Sequence, residues 1–182
     1  MFSHPFQIIA SDEASIHFLS YRNALIAAAR SARRRVWILC FVVNANLSKA
    51  QDPVTHFMTI LRERHAAGAD IRFILDNPEI NRPNYHCNKF FMRRLMEWNF
   101  QFCTPPPRIT SHAKAVLVDD SVLFIGSHNL AKSSLMNPLD CTVELRNKFL
   151  IQSFAETYAM LWQDSSMISY APSDLPKPLY YG

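Results

Sequence analysis

Two short apolar runs separated by only three residues constrain this chain more than any other feature of its sequence. The runs are Lys114–Val118 and Val122–Ile125, and Asp119, Asp120 and Ser121 lie between them. A connection this short joins antiparallel strands, because parallel strands need a crossover of about a dozen residues or more. We therefore expect a β-hairpin in the second half of the chain.

Helix-like and strand-like segments alternate along the rest of the chain. Spacing and length predict helices over Ala14–Arg34, Pro53–His65, Asn88–Trp98 and Phe149–Trp162. They predict further strands over Val36–Val43, Ile71–Leu75, Phe100–Cys103 and Cys141–Leu145. Asp52 is the expected N-cap of the second helix, and Gly68 is its expected C-terminal stop. The order predicts an α/β fold with a mixed β-sheet flanked by helices on both faces.

A chain of 182 residues with 49% hydrophobic composition is expected to form one domain. We assign residues 1–165 to this domain and residues 166–182 to an irregular tail rich in Ser, Pro and Tyr. The N-terminus lacks the pattern of a signal peptide, and the longest apolar run, Val36–Val43, is too short to span a membrane. We therefore expect a soluble cytoplasmic protein.

The charge and the cysteines limit the classes of partner and cofactor. A formal net charge of +4 mildly favours a polyanionic partner, such as nucleic acid or an anionic membrane surface. The 4 cysteines are scattered and show no C-x-x-C spacing. This distribution predicts buried thiols in a reducing compartment, not disulfides or a zinc site. No metal and no other cofactor is expected.

Four side chains suited to phosphate chemistry lie at the open end of the hairpin. Residues two apart on a strand share a face, so His112 and Lys114 point the same way. If the chain reverses through a two-residue turn at 120–121, Lys114 lies opposite Ser127, and His112 lies opposite Asn129. Directly opposed residues of an antiparallel pair share a face. The sequence therefore predicts that an imidazole, an ammonium, a hydroxyl and an amide converge on one patch.

This set of groups suits attack on a phosphodiester. A neutral imidazole at His112 can attack phosphorus, while Lys114, Ser127 and Asn129 donate hydrogen bonds to the oxygens on which charge develops. Such donors neutralise the charge without a metal ion.

Other residues of the same stretch are expected to be structural. In the predicted register Asp119 pairs with Val122 and points to the opposite face from His112, as does His128. We therefore interpret Asp119 as a turn or packing residue and His128 as structural. Gly126 is expected to allow the backbone to approach a neighbouring strand closely.

The pattern H-x-K-x-x-x-x-D from His112 to Asp119, followed by G-S-x-N from Gly126 to Asn129, resembles the signature of the phospholipase D superfamily. The resemblance implies a phospholipase D-like fold and a phosphohistidine intermediate formed by one motif histidine. A second motif histidine would protonate the leaving group. This chain contains one such motif, so the resemblance implies a homodimer with His112 of both subunits in one site, as in the superfamily's small dimeric nucleases.

One position departs from the family pattern. The small dimeric nucleases usually carry a glutamate about eleven residues beyond the motif asparagine, where it holds the histidine ring in its useful tautomer. Asp140 occupies that position here, and its side chain is one methylene shorter. Glu144 is the alternative for the same role.

The substrate is the least constrained part of the prediction. Arg108, which follows three prolines and precedes His112, is the expected substrate-binding residue at the rim of the site. Arg33–Arg35 and Arg93–Arg94 could track a phosphate backbone, or could be a cationic helix end and a solvated face. We expect an endonuclease acting on DNA or RNA. A phospholipid hydrolase and a catalytically silent nucleic-acid-binding dimer remain alternatives.

Overall fold

The computed structural model describes residues 13–46, 49–78, 84–164 and 166–168. The helices are α1 (Tyr21–Ser31), α2 (Pro53–Ala66), α3 (Tyr85–Glu97), α4 (Lys132–Leu135) and α5 (Lys148–Gln163). The strands are β1 (Ala14–His17), β2 (Arg35–Cys40), β3 (Val43–Asn44), β4 (Asp70–Leu75), β5 (Gln101–Cys103), β6 (Ala115–Val118), β7 (Val122–Gly126), β8 (Leu130–Ala131) and β9 (Thr142–Leu145).

The main sheet has seven strands in the order β1-β9-β7-β6-β2-β4-β5. Strands β2, β4 and β5 are parallel, whereas β6, β7, β9 and β1 pair antiparallel with their neighbours. Strand β2 is the junction, because it pairs parallel with β4 on one side and antiparallel with β6 on the other. The predicted mixed sheet is confirmed. A separate parallel pair, β3 and β8, was not predicted.

Helices cover both faces of the sheet, as predicted. Helices α1, α2 and α3 pack on one face around a large apolar core. Helix α5 covers the other face and contributes Ile151, Ala155 and Tyr158 to a second core. The ring of Tyr158 stacks on Trp37 with centroids 5.0 Å apart, and its hydroxyl donates to the carbonyl of Ile38 at 3.2 Å. This helix is thereby fixed to the central strand β2.

The first predicted helix is wrong at its N-terminal end. Residues Ala14–His17 form strand β1 and pair with β9, and α1 begins only at Tyr21. Nε2 of His17 lies 2.9 Å from a carboxylate oxygen of Glu144, which strengthens this pairing. Because the partner strand is more than a hundred residues away, the local apolar spacing gave no sign of it.

The predicted hairpin exists, but its register differs by one residue. Val118, not Asp119, pairs with Val122. Asp119 belongs to the turn and has a φ of 51°, a left-handed conformation that a regular strand does not adopt. The turn therefore has three residues, and the predicted pairing of Asp119 with Val122 is wrong. The predicted pairings of Lys114 with Ser127 and of His112 with Asn129 are wrong for the same reason, because the observed register sets Lys114 opposite Gly126.

The first predicted strand, Val36–Val43, is interrupted. Strand β2 ends at Cys40, and the chain leaves the main sheet at Phe41 and Val42 before it forms β3. The helix signals that follow are confirmed. The Asp52 carboxylate accepts the N–H groups of Val54 and Thr55 at 2.9 and 3.1 Å, and Gly68 has a φ of 94° just beyond α2.

All 4 cysteines are free, as predicted, but only Cys40 and Cys103 are buried, while Cys87 and Cys141 are partly exposed. Most of the predicted tail, from residue 169 onward, lies outside the described residues. Before that point Ile168 forms an antiparallel bridge with Thr104. In the described part of the chain, no helix is long and apolar enough to cross a membrane.

Candidate active site

Three chain segments meet at one edge of the main sheet. Strands β2 and β4 are parallel, so their carboxyl ends at Cys40 and Leu75 lie side by side. Strand β6 runs antiparallel to β2, with Ala115 opposite Leu39, so its first residue lies at the same edge. The residues after β2 and β4 and the residues before β6 therefore come together. His112 and Lys114 belong to the last of these segments.

His112 and Lys114 are in direct contact. The Nζ atom of Lys114 lies 3.1 and 3.2 Å from the two ring nitrogens of His112, and 2.6 Å from its carbonyl oxygen. Phe41 packs against both, with its ring centroid 4.6 Å from that of His112 and 5.0 Å from the Lys114 Nζ. His112 is exposed, whereas Lys114 is buried. The imidazole is thus presented to solvent in front of a cation.

The pKa of Lys114 lies below its ordinary value. Burial lowers this pKa, and the charges of Cys40, Asp140 and Asp76 oppose the effect of burial. The nearby carboxylates thus partly restore the proton affinity of an amine that burial alone would make easier to deprotonate.

Ser127, Asp140 and Asn129 form a second connected group. The Ser127 hydroxyl donates to Asp140 at 2.7 Å, and the Ser134 hydroxyl donates to the other oxygen of Asp140 at 2.6 Å. The Ser134 oxygen also accepts the backbone N–H of Asn129 at 2.9 Å. Ser134 was not identified from the sequence, because it lies in the four-residue helix α4 and belongs to no recognised motif. It joins Asn129 to the carboxylate that binds Ser127.

Asp140 is held as a carboxylate. Burial raises its pKa, but hydrogen bonds from Ser134 and Ser127 outweigh this effect, so the net pKa lies below the ordinary value. The alternative carboxylate, Glu144, is bound elsewhere: one of its oxygens lies 2.9 Å from His17 and the other 2.6 Å from Arg146.

The two groups approach each other without a direct hydrogen bond. Among the described residues, none joins His112 to Ser127, Asn129 or Asp140. The connection runs through the segment after β2, because the backbone N–H of Val42 donates to the Asn129 side chain at 3.3 Å and Phe41 packs on His112. The charge of Asp140 also acts on Lys114.

Asp119 lies at the far end of the hairpin. Its carboxylate accepts three backbone N–H groups at the start of β2, those of Arg33, Arg34 and Arg35, at 3.0, 2.8 and 2.9 Å. Burial raises its pKa, but these hydrogen bonds and the charge of Arg34 lower it below the ordinary value. The carboxylate therefore ties the turn of the hairpin to the neighbouring strand.

Gly126 and His128 contact β9 and the residue before it. A Cβ atom on Gly126 would lie 2.3 Å from the carbonyl oxygen of Cys141 and 2.5 Å from the Cα of Thr142, so no other residue fits without a shift of backbone. His128 is buried, and its Nδ1 lies 2.7 Å from the Thr142 hydroxyl. Burial lowers the pKa of His128, which favours the neutral ring.

The arginines considered for substrate binding occupy different places. Arg33–Arg35 lie at the opposite end of β2 from Cys40, about 20 Å from the site for a strand of this length. Arg34 and Arg35 form ion pairs with Asp120 there. Arg108 is exposed in the loop before His112 and has a φ of 72°. Of the arginines considered, Arg108 is thus the one in the same loop as His112.

A family model matches most of this chain. The model of the family described as "Cardiolipin synthase, PLD-like domain" matches residues 25–162. No curated protein sequence matches the chain significantly.

Solved structures share the fold at low sequence identity. NucT from Helicobacter pylori superimposes with a TM-score of 0.66 at 17% identity, covering 87% of this chain and 99% of that one. Nuc from Salmonella typhimurium, a phospholipase D family member, gives 0.67 at 19% identity with the same coverage. Phosphatidylserine synthase from Haemophilus influenzae gives 0.65 at 12% identity, covering 92% of this chain and 42% of the synthase.

Asp119→Ala is expected to lower the free energy of unfolding by about 2 kcal/mol at neutral pH, because three backbone N–H groups lose their acceptor. A carboxyl whose folded pKa is lowered stabilises the fold above its unfolded pKa of about 4, and loses that effect as pH falls through the folded pKa. Urea unfolding should therefore show the difference from wild type shrinking below about pH 4. Asp120→Ala, which removes only exposed ion pairs, should cost less than about 1 kcal/mol.

Proposed function

We propose that this chain, which belongs to the phospholipase D superfamily, is a phosphodiesterase that acts through a phosphohistidine at a site shared by two subunits. One observation carries the proposal: an exposed imidazole, His112, lies against the buried ammonium group of Lys114. A lysine ammonium group has hydrogen-bond donors and no acceptor, so in a hydrogen bond with Lys114 a ring nitrogen of His112 is the acceptor. A nucleophilic imidazole likewise needs a ring nitrogen with an available lone pair.

The proposed reaction has two steps. A ring nitrogen of His112 attacks phosphorus, and the bond from phosphorus to the leaving oxygen breaks as that oxygen takes a proton from His112 of the partner subunit. Water then attacks the phosphohistidine, gives its proton back to that second histidine, and releases the first. Lys114 and Asn129 donate hydrogen bonds to the phosphoryl oxygens in both steps, and Ser127 joins them when its one proton turns from Asp140 to the substrate. Because these donors stabilise the developing charge, the proposed reaction is independent of a metal ion.

We propose a second subunit because, among the described residues, His112 is the histidine in contact with Lys114. His128 and His17 are buried and engaged with Thr142 and Glu144, so neither reaches the substrate. Exposed apolar side chains lie shortly before three of the site residues in the chain. Ile109 precedes His112, Ile125 precedes Ser127 and Leu139 precedes Asp140, and their side chains are 56%, 42% and 77% exposed. A second copy that covers them would bury this apolar surface. A two-fold axis at this position would bring the two His112 rings together.

Asp140 is the better of the two carboxylates for orienting a histidine. Both oxygens of Glu144 are already bound, by His17 and by Arg146. Asp140 lies at the edge beside Ser127, and a carboxylate can accept more hydrogen bonds than those described for it. Since Asp140 is not bonded to His112 of its own chain, we propose that it orients His112 of the partner subunit.

Nucleic acid is the proposed substrate. The formal net charge of +4 and the position of Arg108 in the loop before His112 support a polyanionic ligand. The small dimeric nucleases that the motif resembles are similar to this chain in size. Arg33–Arg35 do not contribute to this argument, because they lie at the far end of β2.

Phospholipid is the second candidate substrate. The matching family is described as a cardiolipin synthase domain, and a phosphatidylserine synthase shares the fold. Exposed Leu139 and Ile109 would suit acyl chains as well as a second subunit. A dimer that binds nucleic acid without cleaving it is a third possibility, and the experiment below separates all three.

Incubation with labelled single- and double-stranded DNA and RNA in excess EDTA is expected to give cleavage, and His112→Ala is expected to abolish it. The physical reason is that His112 is the histidine beside Lys114 in the described part of the chain, so its loss removes the proposed nucleophile. Binding without cleavage would favour the silent module. Cleavage of anionic phospholipid vesicles, with none of nucleic acid, would favour the second candidate.

A heterodimer of wild-type and His112→Ala chains, isolated through two different affinity tags, tests the shared site. If each turnover needs both histidines, loss of the general acid should lower kcat by at least about a hundredfold relative to the wild-type dimer. Two independent sites would instead leave about half of the activity. That result, or full activity of a strictly monomeric species, would contradict the shared-site model.

Asp140→Ala is expected to lower kcat clearly, though less than His112→Ala, because the ring and the Ser127 hydroxyl both lose their acceptor. Glu144→Gln is the matched control, and it should leave kcat nearly unchanged while weakening the contact with His17. The opposite ranking in a steady-state assay would transfer the orienting role to Glu144.

A further inference from the structure

Asp76 is a fully buried carboxylate at the edge of the sheet where the site lies. It directly follows β4, and its backbone N–H donates to the carbonyl of Cys40 at 3.1 Å, which places it beside the end of β2. Asp76 belongs to none of the motifs identified in the sequence. The proposed mechanism does not use it either.

Asp76 is bonded to the loop that carries His112. One of its carboxylate oxygens accepts the backbone N–H of Ser111 at 2.7 Å, and the other accepts Nδ2 of Asn84 at 2.6 Å. Ser111 is the residue before His112. Fixing this peptide group restricts the backbone from which the imidazole projects.

The same network fixes the ring that packs on His112. Asn88, which is fully buried in α3, donates through Nδ2 to the carbonyls of Phe41 and Asp76 at 2.9 and 3.1 Å. Its Oδ1 accepts the N–H of Val43 at 3.1 Å. The segment after β2 and the segment before β6 are therefore attached to one buried polar network.

Asp76 also acts on Lys114 through its charge. Burial lowers the pKa of Lys114, and interactions with Cys40, Asp140 and, to the smallest extent, Asp76 raise it. A buried carboxylate interacts with a neighbouring cation more strongly than an exposed one would, because less water screens the pair.

We propose that Asp76 is a positioning residue, which fixes the loop of His112 through Ser111 and whose carboxylate also acts on the ammonium group of Lys114. The inference rests on the proposed function for its kinetic consequence. The role of Asp76 toward Lys114 can be measured without any substrate.

Asp76→Asn separates the charge from the geometry. The asparagine keeps an oxygen for the N–H of Ser111, and its new NH₂ group faces Asn84. The Oδ1 of Asn84 is buried and has no hydrogen-bond partner among the described residues, so a rotation of this amide by half a turn would present an acceptor to that NH₂ group. The hydrogen bonds can thus be retained while the charge is lost. Asp76→Ala removes both.

The matched control is Asp70→Asn. Asp70 lies at the other end of the same strand, where it accepts from the Trp37 indole and from Arg72. Each variant removes one carboxylate, from the first residue of β4 at Asp70 or from the residue directly after β4 at Asp76. Only the Asp76 variants change the end at the site.

The first measurement is the pKa of Lys114, followed through ¹³Cε-labelled lysine by NMR, with Lys114→Arg to assign the resonance. Asp76→Asn is expected to lower this pKa, and Asp70→Asn to leave it unchanged. An unchanged pKa in Asp76→Asn would overturn the assignment of the charge. This outcome does not depend on whether the protein cleaves nucleic acid, so a failure of the proposed function is distinguishable from a failure of this inference.

The second measurement is steady-state cleavage across pH. Asp76→Asn is expected to lower kcat about tenfold with little change in KM, and to move the alkaline loss of activity to lower pH, because Lys114 releases its proton more readily. Asp76→Ala is expected to lower kcat about a hundredfold, since the loop of His112 loses its anchor. A kcat in both variants equal to that of wild type would overturn the positioning role. If Asp76→Ala does not fold, Asp76→Asn still tests the effect of the charge by its pH profile, and Ser111→Pro, which removes the N–H that Asp76 accepts, tests the positioning role by its kcat.

Discussion

The pairing of β2 with a parallel strand on one side and an antiparallel strand on the other determines where chemistry can occur in this fold. Parallel β4 brings its carboxyl end beside that of β2, and antiparallel β6 brings its first residue to the same edge. Phe41, Asp76 and His112 thus come together although long stretches of chain separate them. An all-parallel sheet would have placed the start of β6 at the opposite edge.

The spacing of the motif residues Lys114 and Asp119 matches the length of strand β6, which fills the interval between them. Lys114 and Asp119 are five positions apart, a span of about 17 Å in an extended chain. Asp119 binds the N–H groups at the start of β2, whereas Lys114 lies at its end. A slip of one residue between β6 and β2 would turn each side chain to the other face. The aspartate at one end therefore fixes the register on which the lysine and histidine at the other end depend.

The sequence predicted the elements better than the contacts between them. The hairpin and the alternating helices follow from local periodicity, so the mixed sheet could be predicted. The register could not, because the left-handed backbone of Asp119 leaves no mark on the apolar pattern. His112, Lys114, Ser127 and Asn129 still lie near the same edge of the sheet. They lie beyond the paired residues of β6 and β7, so the strict alternation of side chains between the two faces of the sheet does not apply to them. Asp76 and Ser134 could not be predicted, since their roles exist only through partners distant in sequence or through a short irregular helix.

Asp76 and Asp140 are carboxylates near a site proposed for an anionic substrate. Their presence there needs a physical explanation, because like charges repel. Burial favours the neutral form of Lys114, and a neutral amine would stabilise a phosphoryl group poorly. Asp76 and Asp140 offset this effect from two sides. Each accepts hydrogen bonds from groups of the protein itself, Asp76 from Ser111 and Asn84, and Asp140 from Ser127 and Ser134. These donors keep both carboxylates in hydrogen bonds within the protein, while the exposed imidazole of His112 lies against the ammonium group of Lys114.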